Sequence, residues 1–237
     1  MNSLHRISQL AGTGYLIIFF TGIFANFFVI EGLVVPGDGS ATLQNIREAD
    51  GLFRIGILSF ILMVIFDLVL AWALYLLLKP VDRNLSLFQA WFRLVNGTIF
   101  GVALYQLVMV SQLASGAPHL DAFDPVQVAA LAMQSLEAFN TTWLVGLIFF
   151  GIHLVFLGWL IHKSNYIPGI LGILLIIAGV AYLVDSFANF LFPAYDEFAD
   201  IFMLIVVLPG VVGELSFTIW LLIKGVKDRP KAPDYHE

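Results

Sequence analysis

Four ionisable side chains lie inside long apolar stretches of the sequence, where a membrane helix would normally carry only hydrocarbon side chains. They are Asp67, Arg93, His153 and Glu214. A charge at the centre of a membrane helix costs roughly 2.5 to 3.5 kcal/mol on insertion scales, so each of these groups needs a partner, hydration or a use. The sequence therefore predicts a polar site inside a membrane.

These residue types can exchange protons, bind a charged solute or pair with one another. Counting residues from one end of each apolar stretch places all of them roughly 12 to 17 Å deep, in a single layer. Asn96 follows Arg93 by three residues and shares its helix face. We predict one intramembrane polar site formed by Asp67, Arg93, Glu214, His153 and Asn96.

A second layer of polar residues lies nearer the opposite ends of the apolar stretches. Polar stripes on membrane helices normally turn towards the bundle interior, and residues three, four or seven apart share a face. We predict that this layer forms an outer gate made of Arg54, Asp185, Asn189, Glu31 and Glu137.

Each of these positions also has a structural interpretation. Asp67 and Arg93 lie at similar depth on consecutive antiparallel segments, so they could form an ion pair that only joins two helices. His153 could be a hydrogen-bonded interior histidine, and Asp185 could belong to a hydrogen-bonding stripe between helices. Glu214 has no basic neighbour in the sequence, so a structural role and a functional role are equally supported for it.

Composition excludes several classes of function. Of 237 residues, 60% are hydrophobic and 12% are charged, which is typical of an integral membrane protein. A net charge of −6 argues against a nucleic-acid partner, and the lack of cysteine excludes thiolate chemistry. His153 and His162 are nine residues apart on opposite helix faces, so they cannot clamp one metal or haem. No nucleotide-binding or hydrolase motif is present, and the cofactor stays undefined.

Six apolar segments are each long enough to cross about 30 Å of hydrocarbon. They run approximately from Leu10 to Val35, Phe53 to Leu78, Leu85 to Leu113, Asn140 to Ile161, Ile167 to Phe192 and Ile201 to Ile223. Lys and Arg concentrate in the loops on one side, which the positive-inside rule assigns to the cytoplasm. We predict an all-α, polytopic bundle of six transmembrane helices in the cytoplasmic membrane, with both termini cytoplasmic.

The prediction treats residues 1–237 as a single transmembrane domain with two polar additions. Residues 40–51 mix apolar and polar side chains and predict a short amphipathic helix at the outer interface. Residues 226–237 predict a polar cytoplasmic tail. The mixed stretch from Pro125 to Phe139 predicts that the fourth helix begins several turns before Trp143, and the glycines of that helix predict close helix packing.

Many short strings of this sequence match one family pattern over nearly the whole chain. They are Arg6, Ala11, Gly12 and Tyr15; Asp38, Thr42, Asn45 and Ile46; Leu52-Phe53-Arg54; Asp67; Leu74-Tyr75; Leu77-Leu78-Lys79-Pro80-Val81; Phe92-Arg93-Leu94; Phe149-Phe150-Gly151; Gly158; Ser164; Ile167-Pro168; Leu171-Gly172; Tyr182; Asp185; Pro193; Gly213-Glu214; and Trp220-Leu221-Leu222. The chain thereby resembles a large family of bacterial integral membrane proteins defined by domain of unknown function 4386. The resemblance implies six helices and no particular activity. His153 lies outside the pattern, which weakens any mechanism that requires the histidine.

Three functional hypotheses follow from the sequence. The first is a membrane protein whose central polar cavity binds or transports a small solute, with proton coupling as an option. The second is an intramembrane enzyme acting on a lipid or isoprenoid substrate. The third is a structural or regulatory membrane subunit whose polar groups lock helices together. The expected partners are the lipid bilayer and a small-molecule or lipid ligand, and the oligomeric state is left open.

Overall fold

The computed structural model of the protein describes residues 3–226, and within that range the secondary structure is helical, without strands. Of the predicted polar tail, residues 227–237 lie outside the described residues. The helices of ten or more residues are α1 (Ser3–Ile23), α2 (Gly39–Glu48), α3 (Asp50–Leu78), α4 (Arg83–Ala114), α5 (Pro125–Lys163), α6 (Gly169–Leu191) and α7 (Ala199–Ile223).

Six helical stretches in the described range are long and apolar enough to cross a membrane. They are Leu4–Leu33, Asp50–Leu78, Arg83–Ala114, Pro125–Lys163, Gly169–Leu191 and Tyr195–Ile223. The first is α1 continued through a π-helical segment, Phe24–Ile30, into a last turn at Glu31–Leu33. The prediction of an all-α, polytopic membrane bundle is confirmed. The orientation inferred from the Lys and Arg counts stays a prediction.

The predicted amphipathic helix at residues 40–51 corresponds to α2. Asp38 caps its N-terminus by accepting a hydrogen bond from the backbone N–H of Ala41. This is the usual way in which an aspartate satisfies a free N–H group of a first turn. One face of α2 buries Thr42, Leu43 and Ile46 while the opposite face is polar. The helix begins one residue before and ends three residues before the predicted bounds, and its place at the membrane interface stays a prediction.

Contacts divide the chain into two compact units, each made from parts of several helices. The first unit contains Met1–Leu16, Asp67–Asn96 and Leu147–Glu237, and the second contains Ile17–Phe66 and Gly97–Gly146. The core of the second unit is aromatic. The rings of Phe100 and Trp143 stack with centroids 3.6 Å apart, and Phe60 lies 5.2 Å from Trp143 and 5.6 Å from Phe139.

In the first unit, α5 and α6 approach each other through glycines. A Cβ atom on Gly151 would lie 2.8 Å from the carbonyl oxygen of Gly179, and one on Gly179 would lie 2.6 Å from the carbonyl oxygen of Gly151. Gly158 and Gly172 face each other in the same way two turns along both helices. Small residues let membrane helices pack backbone to backbone, where dispersion forces replace the missing hydrophobic drive. The predicted packing role of Gly151 and Gly158 is confirmed.

The short loop between α5 and α6 is tied to the end of α3 by Tyr166. Its hydroxyl donates a 2.7 Å hydrogen bond to the carbonyl oxygen of Leu77. Burial raises the pKa of Tyr166 to about 12, so the hydroxyl keeps its proton throughout the physiological pH range. The bond also satisfies a carbonyl group in the last turn of α3, which has no partner inside its own helix.

Replacing Tyr166 with phenylalanine is therefore expected to lower the free energy of unfolding by about 1 kcal/mol, the usual net contribution of one such hydrogen bond. Unfolding of the purified protein in detergent micelles, followed by circular dichroism, measures the change. Tyr105 is 61% exposed, so Tyr105→Phe provides the matched control and should leave stability unchanged. Equal stability of the Tyr166→Phe and Tyr105→Phe proteins would contradict the role assigned to this loop.

Candidate functional site

Arg93 is the centre of a polar cluster in the first unit. It lies on α4, ten residues after the helix begins, and only 1% of its surface is exposed. Its Nη2 donates to Oδ1 of Asp67 on α3 over 2.6 Å. Its Nη1 lies 3.3 Å from the hydroxyl of Tyr15 on α1 and 3.1 Å from Nε2 of His153 on α5. One guanidinium group thereby joins four helices.

Two aromatic rings surround the same guanidinium group. Its central carbon lies 5.1 Å from the ring centroid of Tyr15 and 5.4 Å from that of Phe150. A cation over an aromatic face is stabilised by about 2 kcal/mol when both groups are removed from water. The rings therefore offset part of the cost of burying Arg93, and they hold its charge in a fixed place.

The hydrogen bonds of His153 determine which nitrogen carries its proton. Nδ1 lies 3.0 Å from the backbone carbonyl oxygen of Gln89, which can only accept, so Nδ1 must donate. Nε2 faces Nη1 of Arg93, which can only donate, so Nε2 must accept. His153 is consequently the neutral Nδ1–H tautomer, and both of its nitrogens are occupied. It can bind a metal or carry a proton only by giving up one of these partners.

Glu214 on α7 is held far more loosely than Asp67. Its side chain is half-buried, and the hydrogen bond that its Oε1 accepts from the hydroxyl of Tyr182 is 3.4 Å long. Arg93 and Asp67 both interact with Glu214 electrostatically. Within the described chain the ion pairs shorter than 4.0 Å are Arg93 with Asp67 and Arg54 with Asp50, so Glu214 takes part in neither. Its carboxyl group retains most of its capacity to bind something else.

Two carboxamides complete the cluster. Gln89 and Asn96 lie one turn before and one turn after Arg93 on α4, and both are fully buried. Among the described residues, neither amide atom of either side chain has a hydrogen-bond partner, and the Nε of Arg93 has none. Asn96 was predicted for this site; Gln89 and Tyr15 were not. Gln89 could have been found from its spacing of four residues to Arg93.

One family model matches most of the chain. The family model described as domain of unknown function (DUF4386) matches residues 10–225. The chain belongs to this family. A relative from the archaeon Archaeoglobus fulgidus is 34% identical over 171 residues, which cover 72% of this chain and 84% of that protein. It is described as an uncharacterized protein, and its archaeal source shows that the resemblance is not confined to bacterial proteins. No solved structure matches the chain.

In this DUF4386 chain the residues predicted for an outer gate have separate partners. Arg54 is in the second unit, where its Nε pairs with Asp50 one turn earlier over 2.8 Å, and its side chain is 61% exposed. Asp185 is in the first unit and accepts a 2.7 Å hydrogen bond from the hydroxyl of Tyr195. Asn189, half-buried one turn further along α6, also contacts Tyr195.

The remaining predicted gate residues lie at exposed positions. Glu31 opens the last turn of the first span, and Glu137 lies on α5. Both side chains are exposed in the described structure. The gate as a functional unit stays a prediction.

Two cavities of this family member are lined by none of the residues of the polar cluster. One of about 620 Å³ is bounded by the loop after α5 and the C-terminal end of α7, including Tyr166, Trp220 and Lys224. The other, of about 420 Å³, lies in the second unit between α2 and the start of α5. No group of three or more His, Cys, Asp or Glu residues in the described part of the chain could hold a metal ion.

Proposed function

We propose that this protein binds or transports a small polar solute at the cluster around Arg93, in a cytoplasmic membrane, and that Glu214 exchanges a proton or a cation during the process. The observation that supports it is the contrast between two carboxyl groups. Asp67 is neutralised by Arg93 at 2.6 Å, whereas Glu214 has one long hydrogen bond and no ion pair among the described residues.

Charge balance assigns the two carboxyl groups different roles. Arg93 and Asp67 cancel each other, so an ionised Glu214 leaves one net negative charge in the layer. An uncompensated charge inside a membrane is costly, and binding a proton or a cation removes that cost. Glu214 is therefore the exchanging group, while Asp67, Arg93, His153 and Tyr15 position the site.

Proton exchange can be measured directly in proteoliposomes that contain a pH-sensitive dye. An inward pH gradient should collapse faster with the wild-type protein than with empty liposomes. Glu214→Gln keeps the shape of the side chain and removes its exchangeable charge, so it should reduce the flux to the level of empty liposomes. Glu48→Gln is the matched control, because it makes the same change at an exposed position on α2, and it should retain the wild-type flux.

Two results would count against this function. Wild-type flux in the Glu214→Gln protein would exclude Glu214 as the exchanging group. Absence of protein-dependent flux in the wild type, with correct folding and insertion, would favour the structural or regulatory alternative. That alternative has its own support, since Arg93 alone joins α1, α3, α4 and α5 through hydrogen bonds.

A further inference from the structure

Buried polar atoms without a partner are concentrated on one face of α4. In the described chain, such side-chain atoms are His5 Nδ1, Gln89 Nε2 and Oε1, Arg93 Nε, Asn96 Nδ2 and Oδ1, and Ser186 Oγ. Five of these seven atoms belong to Gln89, Arg93 and Asn96. Each unsatisfied buried polar group costs about 1 to 3 kcal/mol, so a cluster of them indicates that something else completes their hydrogen bonds.

These residues are aligned along the helix. Positions four and seven residues after Gln89 return to nearly the same direction on a helix of 3.6 residues per turn. The distance along the axis from Gln89 to Asn96 is about 10 Å, with Arg93 between them. We name this row of side chains, Gln89, Arg93 and Asn96, the α4 polar face.

The atoms of the α4 polar face restrict what can bind there. The nitrogens of Gln89, Arg93 and Asn96 are donors, whereas the amide oxygens of Gln89 and Asn96 are acceptors. A simple anion would satisfy the donors and leave the oxygens unpaired. A metal ion would satisfy the oxygens and leave the nitrogens unpaired. Only a molecule that both donates and accepts hydrogen bonds satisfies all of these atoms.

Charge also argues against an ion on this face. The positive charge of Arg93 is already balanced by Asp67 at 2.6 Å, and the two carboxamides are neutral. His153, beside Arg93, is held as a neutral tautomer by the carbonyl group of Gln89 and the guanidinium group. An added anion would therefore bring a charge without a counter-charge into the membrane interior, and a cation would be attracted to Glu214 rather than to this face.

We infer that the α4 polar face is a binding site for neutral molecules that both donate and accept hydrogen bonds, either a row of water molecules or a small amide- or alcohol-type compound. This inference rests on the same cluster as the proposed function and names the chemical class that occupies it.

Radiolytic footprinting tests the inference in the full-length protein in lipid nanodiscs. X-rays convert bound water into hydroxyl radicals, which oxidise adjacent side chains even when these are buried. Phe150 and Tyr15 pack on Arg93, so both should be oxidised several-fold faster than Phe60 and Phe139. Phe139, which is 3% exposed like Tyr15, and Phe60, which is 0% exposed, lie in the aromatic core of the second unit and serve as internal controls.

A variant with Gln89→Leu and Asn96→Leu removes four of the unpaired atoms at nearly constant volume. Oxidation of Phe150 and Tyr15 should then fall to the rate of Phe139. Native mass spectrometry distinguishes bound water from a bound small solute. A bound mass carried by the wild type and lost in the variant identifies a small solute, whereas fast oxidation without added mass identifies water.

The inference is overturned if Phe150 is oxidised no faster than Phe139 in the wild type and no mass is bound. Fast oxidation that persists in a folded Gln89→Leu and Asn96→Leu variant would also overturn it, since the molecules would then bind elsewhere. The wild-type comparison of Phe150 with Phe139 needs no variant and holds even if the variant fails to fold. Normal proton flux in Glu214→Gln with fast oxidation of Phe150 would reject the proposed function and leave this site in place.

Discussion

Replacing Arg93 with methionine is expected to lower the free energy of unfolding by about 3 to 5 kcal/mol, the usual cost of removing one partner of a buried ion pair. The substitution leaves Asp67, only 2% exposed, as an uncompensated charge. It also removes the donor that faces Nε2 of His153 and the cation between the rings of Tyr15 and Phe150. Reversible unfolding in lipid bicelles by steric trapping measures a change of this size.

The matched control is Arg54→Met, which breaks the other ion pair shorter than 4.0 Å in the described chain. Arg54 and Asp50 are exposed neighbours on one helix, and such pairs contribute about 0.3 to 0.5 kcal/mol. The same chemical change should therefore cost far less stability at position 54 than at position 93. Equal losses of stability at the two positions would show that Arg93 lies in a hydrated environment, where breaking the ion pair costs little free energy.

The double variant Asp67→Leu and Arg93→Met tests why the pair exists. A buried ion pair is frequently no better for stability than two well-packed apolar residues, because removing both charges from water is costly. We expect the double variant to recover most of the stability lost in Arg93→Met. It should nevertheless lose the proton flux assigned to Glu214, because Arg93 no longer sets the charge around that carboxyl group. Recovery of both stability and proton flux would show that the ion pair only connects two helices and has no role in proton exchange.

The helices were predictable because length and hydropathy determine a membrane span. The start of α5 lies about fifteen residues before the predicted apolar segment, at Pro125, because helix formation there does not require an apolar stretch. The mixed composition of Pro125 to Phe139 correctly predicted that extension. The π-helical segment Phe24–Ile30 was not predicted, since its residues have the same apolar composition as the rest of the span.

The polar cluster was predictable in part. Asp67 and Arg93 could be paired from sequence because consecutive antiparallel helices bring equal depths together. Tyr15 could not be assigned in this way, because the rotation of α1 about its axis decides which of its side chains meets Arg93. The link between Tyr182 and Glu214 depends on how α6 packs on α7. The depth of a side chain in the membrane can therefore be predicted from hydropathy, whereas the direction in which it points around its helix axis requires the packed structure.

Glycine packing between α5 and α6 leads to the second large expected effect, in Gly158→Ala. The added methyl group would collide with the carbonyl oxygen of Gly172 and lie within 3.0 Å of the backbone nitrogen of Ile176. Backbone atoms cannot rotate away as a side chain can, so the two helices must separate. We expect a loss of about 3 kcal/mol in the free energy of unfolding, towards the upper end for overpacking. The same steric-trapping measurement applies.

Gly101→Ala is the matched control on α4, since a Cβ atom there meets nothing within 4 Å. Alanine at an open helical position stabilises a protein by about 0.5 to 1 kcal/mol relative to glycine. The same substitution is therefore expected to have opposite signs at positions 101 and 158. A stabilising Gly158→Ala would mean that α5 and α6 are further apart in the membrane than their facing glycines indicate. The position of Phe150 and His153, which α5 carries one to two turns from Gly158, would then shift as well, because helix separation moves every side chain along the contact.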